Sequence, residues 1–421
     1  MPYTETTSDS WFGRIGNSFA GIAAAIVLLA ATTYLLYWNE GRTVRTGGAI
    51  NEAQSACIEM KDISKVDPAL DGKLVHAIGK ADTKEMLEDD TFGIKTPGPA
   101  IKLARSTEYY QWVESAKSEK RKKLGGGEET VTTYTYTKRW SSKMVDSSKF
   151  HDPEYIGKNK YITRVGDKTF VAKDVTLGAY KLPDFLKNSI SGAQPLAIEV
   201  SQDRIDQLNK LLIKNLNSAE KTNNANYRTI TMRSMFSDTQ LIHINGDTVY
   251  IGLNFGRLTG FNNPDIGDMR IKYMYTPPQD VSLIAKVLDD TFEEFFASNG
   301  AAFSRLSVGT KSADNMFSDA RKSNKMTAWA LRIIGAVLVI SAFGMLFAPL
   351  SVIADVIPFL GSIVGAGTGL VSFLLGLAWS LIVIAVSWIR FRPVLAFSLI
   401  GAAAAAVILL FIMGHRKRAA A

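Results

Sequence analysis

Apolar residues run without a single charge from Ile15 to Tyr37, close to the roughly 20 residues that one helical crossing of a bilayer needs. A second apolar tract, from Thr327 to Met413, is broken only by Arg332, Asp355, Arg390 and Arg392. Most of the other charges lie between Asn39 and Lys325. This segregation predicts a membrane protein with one large water-exposed domain. The first run is longer than a secretory h-region. It ends in Tyr34, Tyr37 and Trp38, an interfacial aromatic belt rather than a small-residue cleavage site, and so reads as a retained anchor over 15–38.

Between the apolar tracts the period changes. Tyr110, Trp112 and Glu114 alternate with Tyr109, Gln111 and Val113. Beyond the polar stretch "KSEKRKKLGGGEE", Val131, Thr133, Thr135 and Thr137 alternate with Thr132, Tyr134 and Tyr136. Two such runs around Gly125 to Gly127 predict a long β-hairpin whose aromatic residues pack across the strands. A second β-rich block spans Arg228 to Tyr275, with a tight turn at Asn245-Gly246-Asp247. Ile205, Leu208, Leu212 and Leu216 fall at helical spacing and predict a helix over a sheet. Ile284, Val287, Leu288, Phe292, Phe295 and Phe296 predict another, stopped at Asn299-Gly300. The fold class is therefore α+β: a large β-rich extramembrane domain with packed helices over 39–326, and a four-helix transmembrane region with one N-terminal and three C-terminal spans.

The C-terminal tract parses into a span at 327–347, an interfacial or re-entrant segment at 348–364 holding Pro349, Asp355 and Pro358, and spans at 365–389 and 394–413. Four crossings put residues 1–14 and the basic tail 414–421 on one side, which Arg14 and the "HRKR" run make cytoplasmic. Arg390 and Arg392 then sit on the outer side with the large domain, against the usual bias. A fifth crossing brings them inside but expels the tail.

Five stretches in order, "NEGR" after the anchor, "YQWVE", "YTYTKRW", "PDIGDMRIKY" and "WIRFRP", resemble the transmembrane protein 43 family, also called LUMA. The resemblance implies a four-pass protein with cytoplasmic termini whose large domain faces the endoplasmic reticulum lumen or perinuclear space in animals, and the periplasm in a bacterium. It implies a membrane organiser that self-associates, and no enzymatic activity. Animal members contact nuclear-envelope proteins, which a bacterial member has no means to do. The chain contains no glycosylation sequon, which favours a bacterial inner membrane over the endoplasmic reticulum or inner nuclear membrane.

Candidate chemistry is sparse. Cys57 is the single cysteine, which excludes an internal disulfide framework and a multi-thiolate zinc site. His76, His151, His243 and His415 have no metal-ligand spacing, and neither a nucleophile elbow nor a P-loop occurs. The acidic pairs Asp89 and Asp90, and Asp289 and Asp290 with Glu293 and Glu294, read as solvated faces. The net charge of +8 is spread along the chain and gives no nucleic-acid footprint. No catalytic residue, metal or cofactor is expected.

Three features stand out instead. Trp38, Asn39, Glu40, Gly41 and Arg42 form a compact membrane junction: Trp38 sets depth, Gly41 ends the helix, and Arg42 and Arg45 reach helix carbonyls, Glu40 or headgroups. The plain alternative is an ordinary polar helix stop. Gly361, Gly365 and Gly369 recur every four residues on one helix face, which permits close packing against another span of the chain or another subunit of a homo-oligomer. Asp355 is the one carboxylate in the hydrophobic region, either a site on an ion path through an oligomeric pore or a turn at the cytoplasmic surface. The function expected is a membrane scaffold organising proteins or lipid, with an oligomeric channel or transport component as the alternative.

Overall fold

The structure is a computed structural model that describes residues 3–221, 240–252, 263–398 and 401 of the 421-residue chain. Three long apolar helices form a bundle: α1 (Trp11–Ala56), α3 (Ala313–Ala354) and α4 (Pro358–Phe391); α2 (Gln202–Lys221) belongs to the soluble domain. The three bundle helices are long and apolar enough to cross a membrane. Ser10 starts α1 by accepting from the Gly13 amide, and Ser312 starts α3 by accepting from Asn315, both ordinary N-caps. The chain turns at Asp355 to Ile357, and Pro358 opens α4 at a position where its missing N–H costs nothing. The segment expected to lie in the interface at 348–364 is thus the end of α3, a tight turn and the start of α4. The expected span 394–413 falls outside the described residues except for a helical start at 393–398 and residue 401.

The soluble domain is built on two mainly antiparallel sheets. The first runs in the order β1 (Tyr3–Asp9), β4 (Glu128–Ser141), β3 (Lys102–Lys122), β7 (Met269–Thr276), β6 (Thr248–Ile251), β5 (Ile242–Asn245). Strands β3 and β4 are the expected hairpin, paired from Tyr109 with Ser141 to Lys122 with Glu128. Gly125 and Gly126 sit at its tip with φ of 88° and 81°, a left-handed geometry that glycine adopts without strain. Gly246 and Asp247 turn β5 into β6 as expected. The central member of the second sheet is β8 (Gln279–Leu288), flanked by β2 (Leu74–Asp82) on one side, and by β9 (Thr291–Glu293) and β10 (Arg305–Val308) on the other. The main core gathers Leu103, Leu177, Ile271, Tyr273, Leu283 and Val287, with Ile205, Leu208 and Leu212 of α2 laid over it.

Three expectations change here. The segment from Asp280 to Gly300 is not a helix but β8, a turn at Asp289 with φ of 51°, β9 and a short strand pair. Nor does α1 stop at Gly41; it continues fifteen residues further, to Ala56. There Ile50 and Ala53 of α1, with Met316, Phe317 and Ala320 of α3, pack on Leu74 and Ile284 of the second sheet. Burying one such large apolar side chain contributes roughly 1.5–3 kcal/mol, so this contact fastens the bundle directly to the domain. Residues 3–9, within the N-terminal segment 1–14 expected to be cytoplasmic, are the edge strand of the domain's own first sheet.

Candidate functional site

The junction residues lie in mid-helix, where α1 faces both α3 and α4. Glu40 is fully buried and accepts three hydrogen bonds: from Arg332 Nε at 2.6 Å and Nη2 at 2.9 Å, and from Trp388 Nε1 at 2.9 Å. The fork of Arg332 matches the carboxylate bidentately, the strongest geometry for such a pair. Its guanidinium also lies 5.0 Å from the Trp329 ring and 5.9 Å from the Trp388 ring, within cation–π range. One carboxylate on α1 therefore binds α3 through an arginine and α4 through an indole.

The neighbours complete this clamp. Asn39 donates to the Ala328 carbonyl at 3.0 Å, Asn324 donates to the Thr43 carbonyl at 2.9 Å, and Arg42 reaches Asn324 Oδ1 at 3.3 Å. Gly41 stays helical although glycine costs about 1 kcal/mol there relative to alanine. The reason is contact: a Cβ on Gly41 would lie 2.8 Å from the Phe391 ring. Glycine here admits α4 rather than ending α1. Trp38 faces outward, and Arg45 is exposed with its carbonyl accepting from Asn299. Sequence reasoning missed Arg332 and Trp388. The only available signal was that Arg332 is a lone charge in an apolar span, a residue type that demands a partner.

The candidate glycines mostly pack within the chain. A Cβ on Gly361 would collide with Asp355, and one on Gly365 would press Ser351 Oγ at 3.1 Å; both neighbours belong to the α3 end of the bundle. Gly369 has open space beside it. Two close helix crossings use glycines that sequence reasoning did not single out: a Cβ on Gly376 would lie 2.7 Å from the Ile340 backbone, and one on Gly335 would lie 2.5 Å from the Leu36 side chain.

Asp355 is buried at the turn between α3 and α4. It pairs with Arg14 and Lys122, each at 2.6 Å. Trp11 Nε1 donates to the Val352 carbonyl and the Gly125 amide to the Val356 carbonyl, so the hairpin tip, the start of α1 and this turn are one cluster. An arm that exposes Lys117, Lys120 and Arg121 cannot lie in hydrocarbon.

The soluble domain spends its buried charge on structure. Asp89, expected on a solvated face, is fully buried and binds Arg105 at 2.6 Å and the Tyr273 hydroxyl at 2.7 Å. Burial, then the hydrogen bond to Asp89, pushes the Tyr273 phenol up. Asp290 and Glu293 are surface partners of Lys181 and Lys286. The Cys57 thiol is pushed up to about 12 by burial, with Glu59 adding to it, so it stays protonated and unreactive near neutral pH. Among the described residues no cluster of His, Cys, Asp or Glu gathers to hold a metal ion.

The motif stretches converge in two places. Glu40 of "NEGR" meets Trp388 of "WIRFRP" in the clamp. In the first sheet, Arg270 of "PDIGDMRIKY" binds Glu108 at 2.6 Å and lies 4.5 Å over Trp140 of "YTYTKRW", and Tyr136 donates to Glu114 of "YQWVE" at 2.6 Å. Gly267 has φ of 96° and no room for a side chain against the Lys160 carbonyl. The model of the family described as Transmembrane protein 43 matches residues 109–393. The chain belongs to the transmembrane protein 43 family. Similar members include transmembrane protein 43 of Rattus norvegicus, 27% identical over 93% of this chain and 90% of that one, and of Homo sapiens, 26% identical over 95% and 92%. The Drosophila melanogaster transmembrane protein 43 homolog is 24% identical over 88% of each. No solved structure matches the chain.

Proposed function

We propose that the chain is a non-enzymatic, multi-pass integral membrane scaffold that self-associates and organises proteins or lipid around it. The observation that carries this reading is the Glu40 clamp, which ties three helices together where α1 and α3 run on into the second sheet. Anchor and domain become one rigid body. A scaffold needs that rigidity, whereas the buried ionisable groups of the domain are already paired for structure. Its place is a bacterial inner membrane with a periplasmic domain, or the endoplasmic reticulum and inner nuclear membrane with a lumenal domain in a eukaryote. Its partners are its own copies, membrane lipid and membrane or periplasmic proteins. Gly361 and Gly365 face their own chain, and Gly369 borders the same cleft with open space beside it, so self-association through this glycine row rests on Gly369 alone. Native mass spectrometry in lipid nanodiscs tests it. A defined oligomer that Gly369→Leu disperses supports assembly, and a monomer in both removes self-association from the proposal.

One observation favours a channel as the second reading. A cavity of about 310 Å³ between α3 and α4 is lined by Ser351, Asp355, Gly365, Thr368, Gly369 and Ser372. Against it, Arg14 and Lys122 already neutralise Asp355, and the Thr368 and Ser372 hydroxyls donate to helix carbonyls. Ion flux into proteoliposomes that Asp355→Asn abolishes would favour the channel; flux that is absent, or unchanged in the variant, would remove it.

A further inference from the structure

On the outer surface of the bundle, α1 and α4 leave a groove of about 650 Å³ between them. Ile26, Ala30 and Tyr37 form one wall, and Trp379, Val383 and Val386 the other. Among the described residues one hydrogen bond crosses it, Trp379 Nε1 to Thr33 Oγ1 at 2.9 Å, and the interior is almost wholly apolar. Its size is that of a small-molecule site. The groove is closed at one end by the contact of Gly41 with Phe391, and Tyr37 lies 5.1 Å from that ring. Tyr34, Tyr37 and Trp38 place this end at headgroup depth.

Arg390 stands at that end. It follows Trp379, Val383 and Val386 at spacings of four, three and four, so it continues the same face of α4 one turn beyond the groove. Helical side chains lean towards their own N-terminus, which tips Arg390 back over Val386. Arg390 is exposed and has no ion pair, hydrogen bond or ring contact among the described residues. Arg332, by contrast, is consumed by Glu40, and Arg392 lies 6.0 Å from the Trp388 ring. An unspent guanidinium above an apolar groove is complementary to a molecule with a phosphate at one end and an acyl chain at the other. It also gives a use to a cation that charge bias would not place beside the large domain.

We propose that this groove is a glycerophospholipid site, the acyl chain lying between α1 and α4 and the phosphate held by Arg390. The inference requires that the helices lie in a bilayer and stands whether or not copies of the chain assemble. It is tested on the full-length protein extracted into detergent, relipidated with phosphatidylglycerol and measured by native mass spectrometry. The wild type is expected to retain one phospholipid per chain. Arg390→Gln weakens retention by about fivefold, the worth of one interfacial arginine. Ala30→Phe, which fills the groove, weakens it regardless of headgroup, and a thermal melt of each variant confirms the fold. Retention equal to wild type in both folded variants overturns the site. So does occupation by protein, read in a Cys57→Ser background carrying Ala30→Cys and Val407→Cys. An intramolecular disulfide would show the chain's own last apolar run in the groove, and an intermolecular one a second copy.

Discussion

Removing the Glu40 carboxylate tests the clamp most directly. Glu40→Ala deletes three hydrogen bonds, two from the Arg332 guanidinium and one from the Trp388 indole. Bonds to charged groups contribute about 1.5–3 kcal/mol each, a gross loss of roughly 5–9 kcal/mol for the three. Part is recovered, because the Arg332 side chain is 13% exposed and still stacks on Trp329. The expected net loss is about 3–5 kcal/mol, the range for a buried pair deprived of one partner. Removing both charges in Glu40→Leu with Arg332→Met is expected to return the protein to within about 1–2 kcal/mol of wild type, since the cost comes from an orphaned charge. The assay is reversible unfolding in mixed micelles followed by tryptophan fluorescence, with all four corners of the cycle measured. Intramembrane hydrogen bonds average about 0.6 kcal/mol, or about 2 kcal/mol for three. A Glu40→Ala loss at or below that, or a double variant as damaged as the sum of the singles, would refute the clamp.

Further outcomes follow from the same geometry. Gly41→Ala is expected to cost about 1–3 kcal/mol through overpacking against Phe391, and Phe391→Leu in the same chain to relieve it, both read by thermal melting. Gly376→Ala meets the Ile340 backbone, which cannot move aside, and should destabilise the monomer; Gly369→Leu, with open space beside it, should leave monomer melting unchanged. In the hairpin, burial raises the Glu114 carboxyl, but hydrogen bonds from Tyr136 and from the His151 amide and ring outweigh it and hold the group below its ordinary value of 4.5. Its contribution to stability is therefore complete above about pH 4.5 and lost as pH falls through the lowered folded value. Glu114→Gln should flatten the stability profile in that acid window, and an unchanged slope would show the bonds to be energetically idle.

How much of this was legible follows from how local each signal is. The β3–β4 hairpin was readable because alternation and a glycine tip are properties of neighbouring residues. Strand β8 was not, because it is buried on both faces. Val281, Leu283, Ala285 and Val287 enter the main core while Ile284 packs against α1 and α3. Double burial erases the alternation and leaves an apolar run that also fits a helix. Gly41 was visible as a special position, but its cause, Phe391, lies 350 residues along the chain. Arg332 and Trp388 were likewise hidden, since nothing near Glu40 in sequence names a partner 292 or 348 residues away.

The continuity of α1 has a mechanical consequence. From Glu40 to Ala56 the helix extends sixteen residues, about 24 Å at 1.5 Å per residue. A helix adapts to bilayer thickness by tilting, and a tilt of about 10° pivoting at the clamp swings the far end by about 4 Å. Ile50 and Ala53 on that lever press against Leu74 and Ile284. Because the clamp and this contact join helix and domain, such a tilt carries the second sheet with it.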